Sequence, residues 1–118
     1  MNAIFFETSV FTKTVSHYLN DEQYKELQHF MLCNPDCGDV MPRTGGFRKL
    51  RWADEGRTKG KRGGLRVIYY WLGRDRQFWM FAIYDKDEME NLTSAQEKQL
   101  KQAIEAELKA RGMQDGKA

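Results

Sequence analysis

The chain of 118 residues falls within the range of a single domain, and a hydrophobic content of 41% suffices for one core. Two cysteines are too few to staple a secreted domain of this size, and no apolar run is long enough to span a bilayer. The net charge is only +2, yet nine basic and two acidic residues fall between 43 and 66, so that segment carries +7. Charge concentrated in this way suits a polyanion, because each neutralised phosphate releases condensed counterions. The plainer alternative is a solvated basic loop.

Residues 4–7 read as a short β segment with no basic leader, and their apolar run is too short for a signal peptide. A cytosolic protein is expected. Phe11, Thr14, Val15, Tyr18 and Leu19 then recur at helical spacing and predict a helix over 8–19. Asn20, with Gln23 three residues on, forms a capping signature for a second helix whose buried stripe is Tyr24, Leu27, Phe30 and Met31. Pro35 ends it, since the residue before a proline is pushed out of the helical region. His29, Cys33 and Cys37 are spaced four apart near that end. A metal clip would use such spacing, but no fourth ligand is evident, and packing residues are the plainer reading.

The stretch 34–46 holds both prolines and the pair Gly45-Gly46 and reads as turns. Strands are predicted over 47–52, 65–72 and 77–84, the last two joined by a tight turn at 73–76 into an antiparallel hairpin. Thr93 with Gln96 opens a C-terminal helix carrying Leu100, Ala103, Ile104 and Leu108 and closing near Gly112. Residues 1–112 are expected to form the domain and 113–118 a frayed tail. The order β-α-α-β-β-β-α belongs to the α+β class, with a mainly antiparallel sheet of about four strands.

Residues 56–64 read Gly-Arg-Thr-Lys-Gly-Lys-Arg-Gly-Gly. This is not a nucleotide-binding P-loop, because Arg62 follows Lys61 where a Ser or Thr would hold magnesium. A basic loop is the better reading, its glycines letting backbone approach a phosphate chain and Lys59, Lys61 and Arg62 supplying charge. A mobile hairpin connection is the plainer alternative. Strand alternation puts Lys49 and Arg51 on the face of Phe47, Arg48 on the opposite face, and Arg66 with Ile68 and Tyr70. In the last strand it puts Phe78, Met80, Ala82, Tyr84 and Lys86 on one face and Trp79, Phe81 and Ile83 on the other. Most of these aromatics are expected in the core of a sheet with helices on one side. Tyr84, beside Asp85 and Lys86, is the one placed to offer its ring or hydroxyl to a base.

Three segments carry a family resemblance: 46–52 (Gly-Phe-Arg-Lys-Leu-Arg-Trp), 60–71 (Gly-Lys-Arg-Gly-Gly-Leu-Arg-Val-Ile-Tyr-Tyr-Trp) and 84–93 (Tyr-Asp-Lys-Asp-Glu-Met-Glu-Asn-Leu-Thr). In this order they make the sequence resemble RelE/HigB-type toxins of the RelE/ParE superfamily, from about residue 5 to 108. The resemblance implies a small RelE-like microbial RNase fold and a toxin–antitoxin pair. It implies a ribosome-dependent mRNA interferase that cuts translated mRNA in the A site without a metal or other cofactor. It further implies a cognate antitoxin with a helix-turn-helix domain, through which alone operator DNA would be contacted.

Metal-free RNA cleavage needs the 2′-hydroxyl deprotonated, the phosphate neutralised and the 5′-oxygen protonated, which leaves a 2′,3′-cyclic phosphate and a 5′-hydroxyl. Arg66 and Arg62 are candidates to hold the scissile phosphate. Lys49 or Lys86, crowded by other cations, is a candidate acid or base, and Tyr84 could stack on the base or relay a proton. Arg43, Arg48, Arg51, Arg57, Lys59 and Lys61 are expected to bind RNA or ribosome. Some relatives carry a histidine base in the basic segment, but here the histidines are His17 and His29, in the predicted N-terminal helices. Lys86-Asp87-Glu88 stands where some relatives carry a second arginine, which leaves proton transfer to lysine and tyrosine. The alternative within the superfamily is a non-cleaving toxin that blocks the ribosome or, like ParE, poisons gyrase.

Overall fold

Each helix starts where a short polar side chain can satisfy amide groups that the first turn leaves without partners. Thr8 Oγ1 accepts from the Phe11 amide and donates to the Phe81 carbonyl at 2.8 Å, so this cap also pins the first helix to the sheet. Asn20 with Gln23 and Thr93 with Gln96 form reciprocal capping boxes, as their spacing predicts. The structure, a computed structural model, describes residues 2–52, 64–88 and 91–112. The expected tail 113–118 lies outside the described residues.

The elements in chain order are β1 (Ile4–Glu7), α1 (Ser9–Tyr18), α2 (Asp21–Cys33), β2 (Asp39–Val40), β3 (Arg48–Trp52), β4 (Leu65–Leu72), β5 (Gln77–Asp85) and α3 (Ser94–Ala110). They make the α+β arrangement with two N-terminal helices and one C-terminal helix. Among the described residues the sheet has five strands in the order β1-β5-β4-β3-β2, with β1 parallel to β5 and every other pair antiparallel. The strand beyond the expected four is β2, inside the stretch read as turns. Its two residues pair with Lys49 and Arg48 of β3 and are too few to display a period.

Helices cover both faces of the sheet, not one. Leu50, Leu65, Val67 and Tyr69 form one cluster with Phe11, Leu19, Leu27 and Met31 from α1, its C-cap and α2. Phe47, Ile68 and Tyr84 form another with Leu100 and Ile104 of α3. Val67 and Ile68 are sequence neighbours, so the two clusters lie on opposite faces. The α1–α2 side of the sheet is therefore lined by β4 residues of one parity and the α3 side by the other.

A bulge in β5 overturns the expected facing of that strand. Ile68 pairs with Ala82 but Tyr69 pairs with Met80, which leaves Phe81 as an extra residue on β5. One inserted residue inverts the alternation beyond it. Phe78 and Met80 accordingly join Ile83 on the α1–α2 side, while Trp79, Phe81, Ala82 and Tyr84 go with the α3 side. The periodic reading, which grouped Phe78 and Met80 with Tyr84, holds only on one side of the bulge.

The loop 41–47 seats α3. At Gly45, φ is +78°, and a Cβ there would come within 2.9 Å of Ile104 Cγ2, so glycine is needed both for the turn and for the close approach of the helix. Among the described residues no helix is long and apolar enough to cross a membrane.

Candidate functional site

Strand register brings three of the nominated side chains into one row. Arg51 of β3 lies opposite Arg66 of β4, and Arg66 lies opposite Tyr84 of β5. Adjacent strands are about 4.8 Å apart, so the row crosses about 10 Å of sheet. All three belong to the α3 side, together with Lys49, which pairs with Ile68 two residues earlier on β3. The Lys86 amide donates to the Gly64 carbonyl at 2.8 Å, which carries the β4–β5 ladder one rung past the strand and keeps the exposed Lys86 at the Tyr84 end of the row. Lys49, Arg51, Arg66 and Tyr84 thus share one face, with the Lys86 backbone at the end of the row.

Burial differs sharply along the row. Arg51 is exposed, Arg66 half-buried and Tyr84 only 7% exposed. Arg66 Nη1 donates to the Leu65 carbonyl at 3.2 Å, which braces the guanidinium against its own strand. The Tyr84 hydroxyl is buried and has no hydrogen-bond partner among the described residues. A buried polar group left without a partner costs about 1–3 kcal/mol, and among the described residues this hydroxyl is an unmet donor. Burial pushes its pKa up, and the nearby Arg66 charge opposes that only in part. The group therefore keeps its proton at neutral pH and can give a hydrogen bond or a proton. The ring expected to stack on a base is covered, in the buried cluster that holds Phe47, Ile68 and Leu100.

The structure takes two other nominated residues away from the row. Arg48 lies on the α1–α2 side, where Nη1 donates to the carbonyls of Gly38 at 2.8 Å and Asp36 at 3.3 Å. Arg43 pairs through Nε and Nη2 with both carboxylate oxygens of Glu97 on α3, at 2.9 and 3.2 Å. Its charge is thereby engaged in holding the 41–47 loop to the helix, although its side chain is 70% exposed. Arg57, Lys59, Lys61 and Arg62 lie outside the described residues. His17 and His29 sit exposed on α1 and α2, the helices of the opposite face.

The cysteine spacing does not produce a joint site. His29 Nε2 is 3.8 Å from Cys33 Sγ, but Cys37 Sγ turns to the Tyr69 hydroxyl at 3.4 Å, and burial pushes the Cys37 thiol up. Among the described residues no group of three His, Cys, Asp or Glu side chains could hold a metal. A cleft of about 390 Å³ between β1, β5 and α3 is lined mainly by apolar side chains, including Phe6, Trp79 and Phe81, and holds none of the nominated residues. Sequence reasoning passed over Tyr18 and Glu88, which meet in a side-chain hydrogen bond from α1 to the turn after β5. They stand 70 residues apart, and nothing in the local pattern links them.

No family model matches this sequence. Among solved structures the chain is similar to a mutant of the E. coli toxin RelE in the free state, at 13% sequence identity and a TM-score of 0.48. The match covers 76% of this chain and 90% of that one. It assigns no role to any side chain.

Proposed function

We propose that the chain is a RelE/HigB-type toxin, an endoribonuclease that cleaves translated mRNA on the ribosome and is neutralised by a cognate antitoxin. The observation that carries this reading is the row Arg51–Arg66–Tyr84, flanked by Lys49 on the same face and by Lys86 in the turn after β5. It combines cations for a phosphate with a protonated phenol that has no acceptor among the described residues. The resemblance of 46–52, 60–71 and 84–93 to RelE/HigB-type toxins supports the same reading and supplies the ribosome, mRNA and a helix-turn-helix antitoxin as partners.

The chemistry sets three tasks for these residues. The ribose 2′-oxygen attacks the phosphorus and loses its proton to a base, for which Lys49 or Lys86 is the candidate. Arg66, assisted by Arg51, neutralises the charge that develops on the phosphoryl oxygens, where a guanidinium can make two parallel bonds. The bond to the 5′-oxygen then breaks, and Tyr84 or the second lysine supplies the proton that oxygen takes up. Because the Tyr84 hydroxyl is covered, substrate must open its surroundings locally to reach it. Codon splaying on the ribosome would supply the alignment that free RNA lacks, and proximity of that kind is worth up to about 7–11 kcal/mol.

The test is expression of the chain alone, with transcript 5′ ends mapped across the cell. Growth arrest with new 5′-hydroxyl ends inside translated codons is the expected result. Arrest with unchanged ends refutes the nuclease reading, and accompanying DNA damage signalling would then point to gyrase.

A further inference from the structure

The turn that follows β5 is closed by a set of hydrogen bonds centred on Lys86. The Glu88 amide donates to the Asp85 carbonyl at 2.9 Å, and the Asp87 amide donates to Asp85 Oδ1 at 2.9 Å. The Asp85 amide donates in turn to Glu88 Oε1 at 3.0 Å, so the carboxylate folds back on the residue that starts the turn. That same oxygen accepts from the Tyr18 hydroxyl at the end of α1. The phenol on α1 thus reaches the backbone immediately before Lys86 through one carboxylate. Asp85 is 3% exposed and pairs with Leu65, which anchors the first corner of the turn in the sheet.

We propose that Tyr18 and Glu88 are positioning residues for Lys86, with the Glu88 carboxylate, held from α1 by Tyr18, fixing the turn that carries the lysine at the end of the Arg66–Tyr84 row. The importance of Lys86 rests on the nuclease reading; the positioning itself does not. Three features carry it. The acceptor is shared between a backbone amide and a side chain from another element, so losing either donor weakens the hold on the turn. The Lys86 amide is the last rung to Gly64, so a loosened turn releases that rung first. Desolvation of Tyr18, with the hydrogen bond to Glu88, pushes its pKa up to about 12, so the phenol stays a donor throughout the neutral range. A reacting group displaced by about 1 Å can lose about 100-fold in rate, so a partly loosened turn is expected to cost about tenfold.

The experiment has two readouts on the full chain. Amide hydrogen exchange should show Lys86 losing protection in Tyr18→Phe and Glu88→Ala while the amides of Val67 and Ile83 keep theirs, and Glu88→Gln, which retains an acceptor oxygen, should restore it. Ribosome-dependent cleavage should fall about tenfold in kcat with KM nearly unchanged in both variants, recover in Glu88→Gln, and show no further loss when Tyr18→Phe is added to Lys86→Ala. Unchanged Lys86 protection overturns the positioning claim whatever the activity. Lost protection with wild-type cleavage overturns the link to catalysis. If protection is lost and the wild-type chain cleaves nothing, the positioning stands and the nuclease reading fails.

Discussion

The two faces of the sheet are built from the same strands yet have opposite characters. On the α1–α2 side, Leu50, Val67, Tyr69, Phe78 and Met80 are almost wholly buried under two helices. On the α3 side, one helix covers Phe47, Ile68 and Tyr84 but leaves Arg51 exposed and Arg66 half-covered at the other end of the same strands. Leu50 and Val67 therefore serve the core, while their sequence neighbours Arg51 and Arg66 serve the candidate site. A sheet can hold a polar row rigidly when its reverse face is a packed core, because each site residue inherits its position from apolar neighbours on either side of it.

The largest expected effect breaks the comparison into its halves. Arg66→Ala should lower ribosome-dependent cleavage by about 100- to 1,000-fold with the denaturation midpoint nearly unchanged. Phe78→Ala on the other face, which removes a fully buried ring stacked 4.7 Å from Phe5, should instead cost about 3–5 kcal/mol of stability in denaturant melts. If Arg66→Ala unfolds the chain, the division of labour between the faces is wrong.

A second substitution should move activity and stability in opposite directions. Tyr84→Phe deletes a buried hydroxyl that has no partner among the described residues, so stability should rise by about 1 kcal/mol while cleavage falls by about 100-fold. Stability that drops on this change would mean the hydroxyl has a partner in the folded protein. The smallest effect concerns Arg48, which sits in the basic segment but faces the core. Arg48→Ala should leave cleavage within about twofold and cost about 0.5–1.5 kcal/mol through loss of the bonds to Gly38 and Asp36. A large loss of cleavage would place Arg48 in the site despite its facing.

What could be read in advance was local. The two capping boxes and the proline stop rest on spacings of three or four residues, and the helices begin and end as those spacings require. Lys49 and Arg51 could be placed on one face because β3 alternates cleanly. β5 could not be read in the same way, since Phe78, Trp79, Met80, Phe81, Ile83 and Tyr84 are apolar at both parities and give no sign of a bulge. Charge was legible as a segment but not as a site. Glu97 lies 54 positions from the Arg43 it binds, and the fold of the Gly38 loop, which receives Arg48, is set by the Tyr69 hydroxyl accepting from the Gly38 amide.

The parallel pairing of β1 with β5 also bears on how the molecule assembles. Ile4 lies opposite Gln77, so the strand made first must wait for one of the last strands before it gains its ladder. Phe11, Leu27 and Met31 wait with it, because the β4 and β5 residues against which they pack come later in the chain. During synthesis the N-terminal third is thus a pair of amphipathic helices with an unoccupied apolar side, and closing it spans most of the chain's length, which makes folding slow relative to a helical protein of the same size.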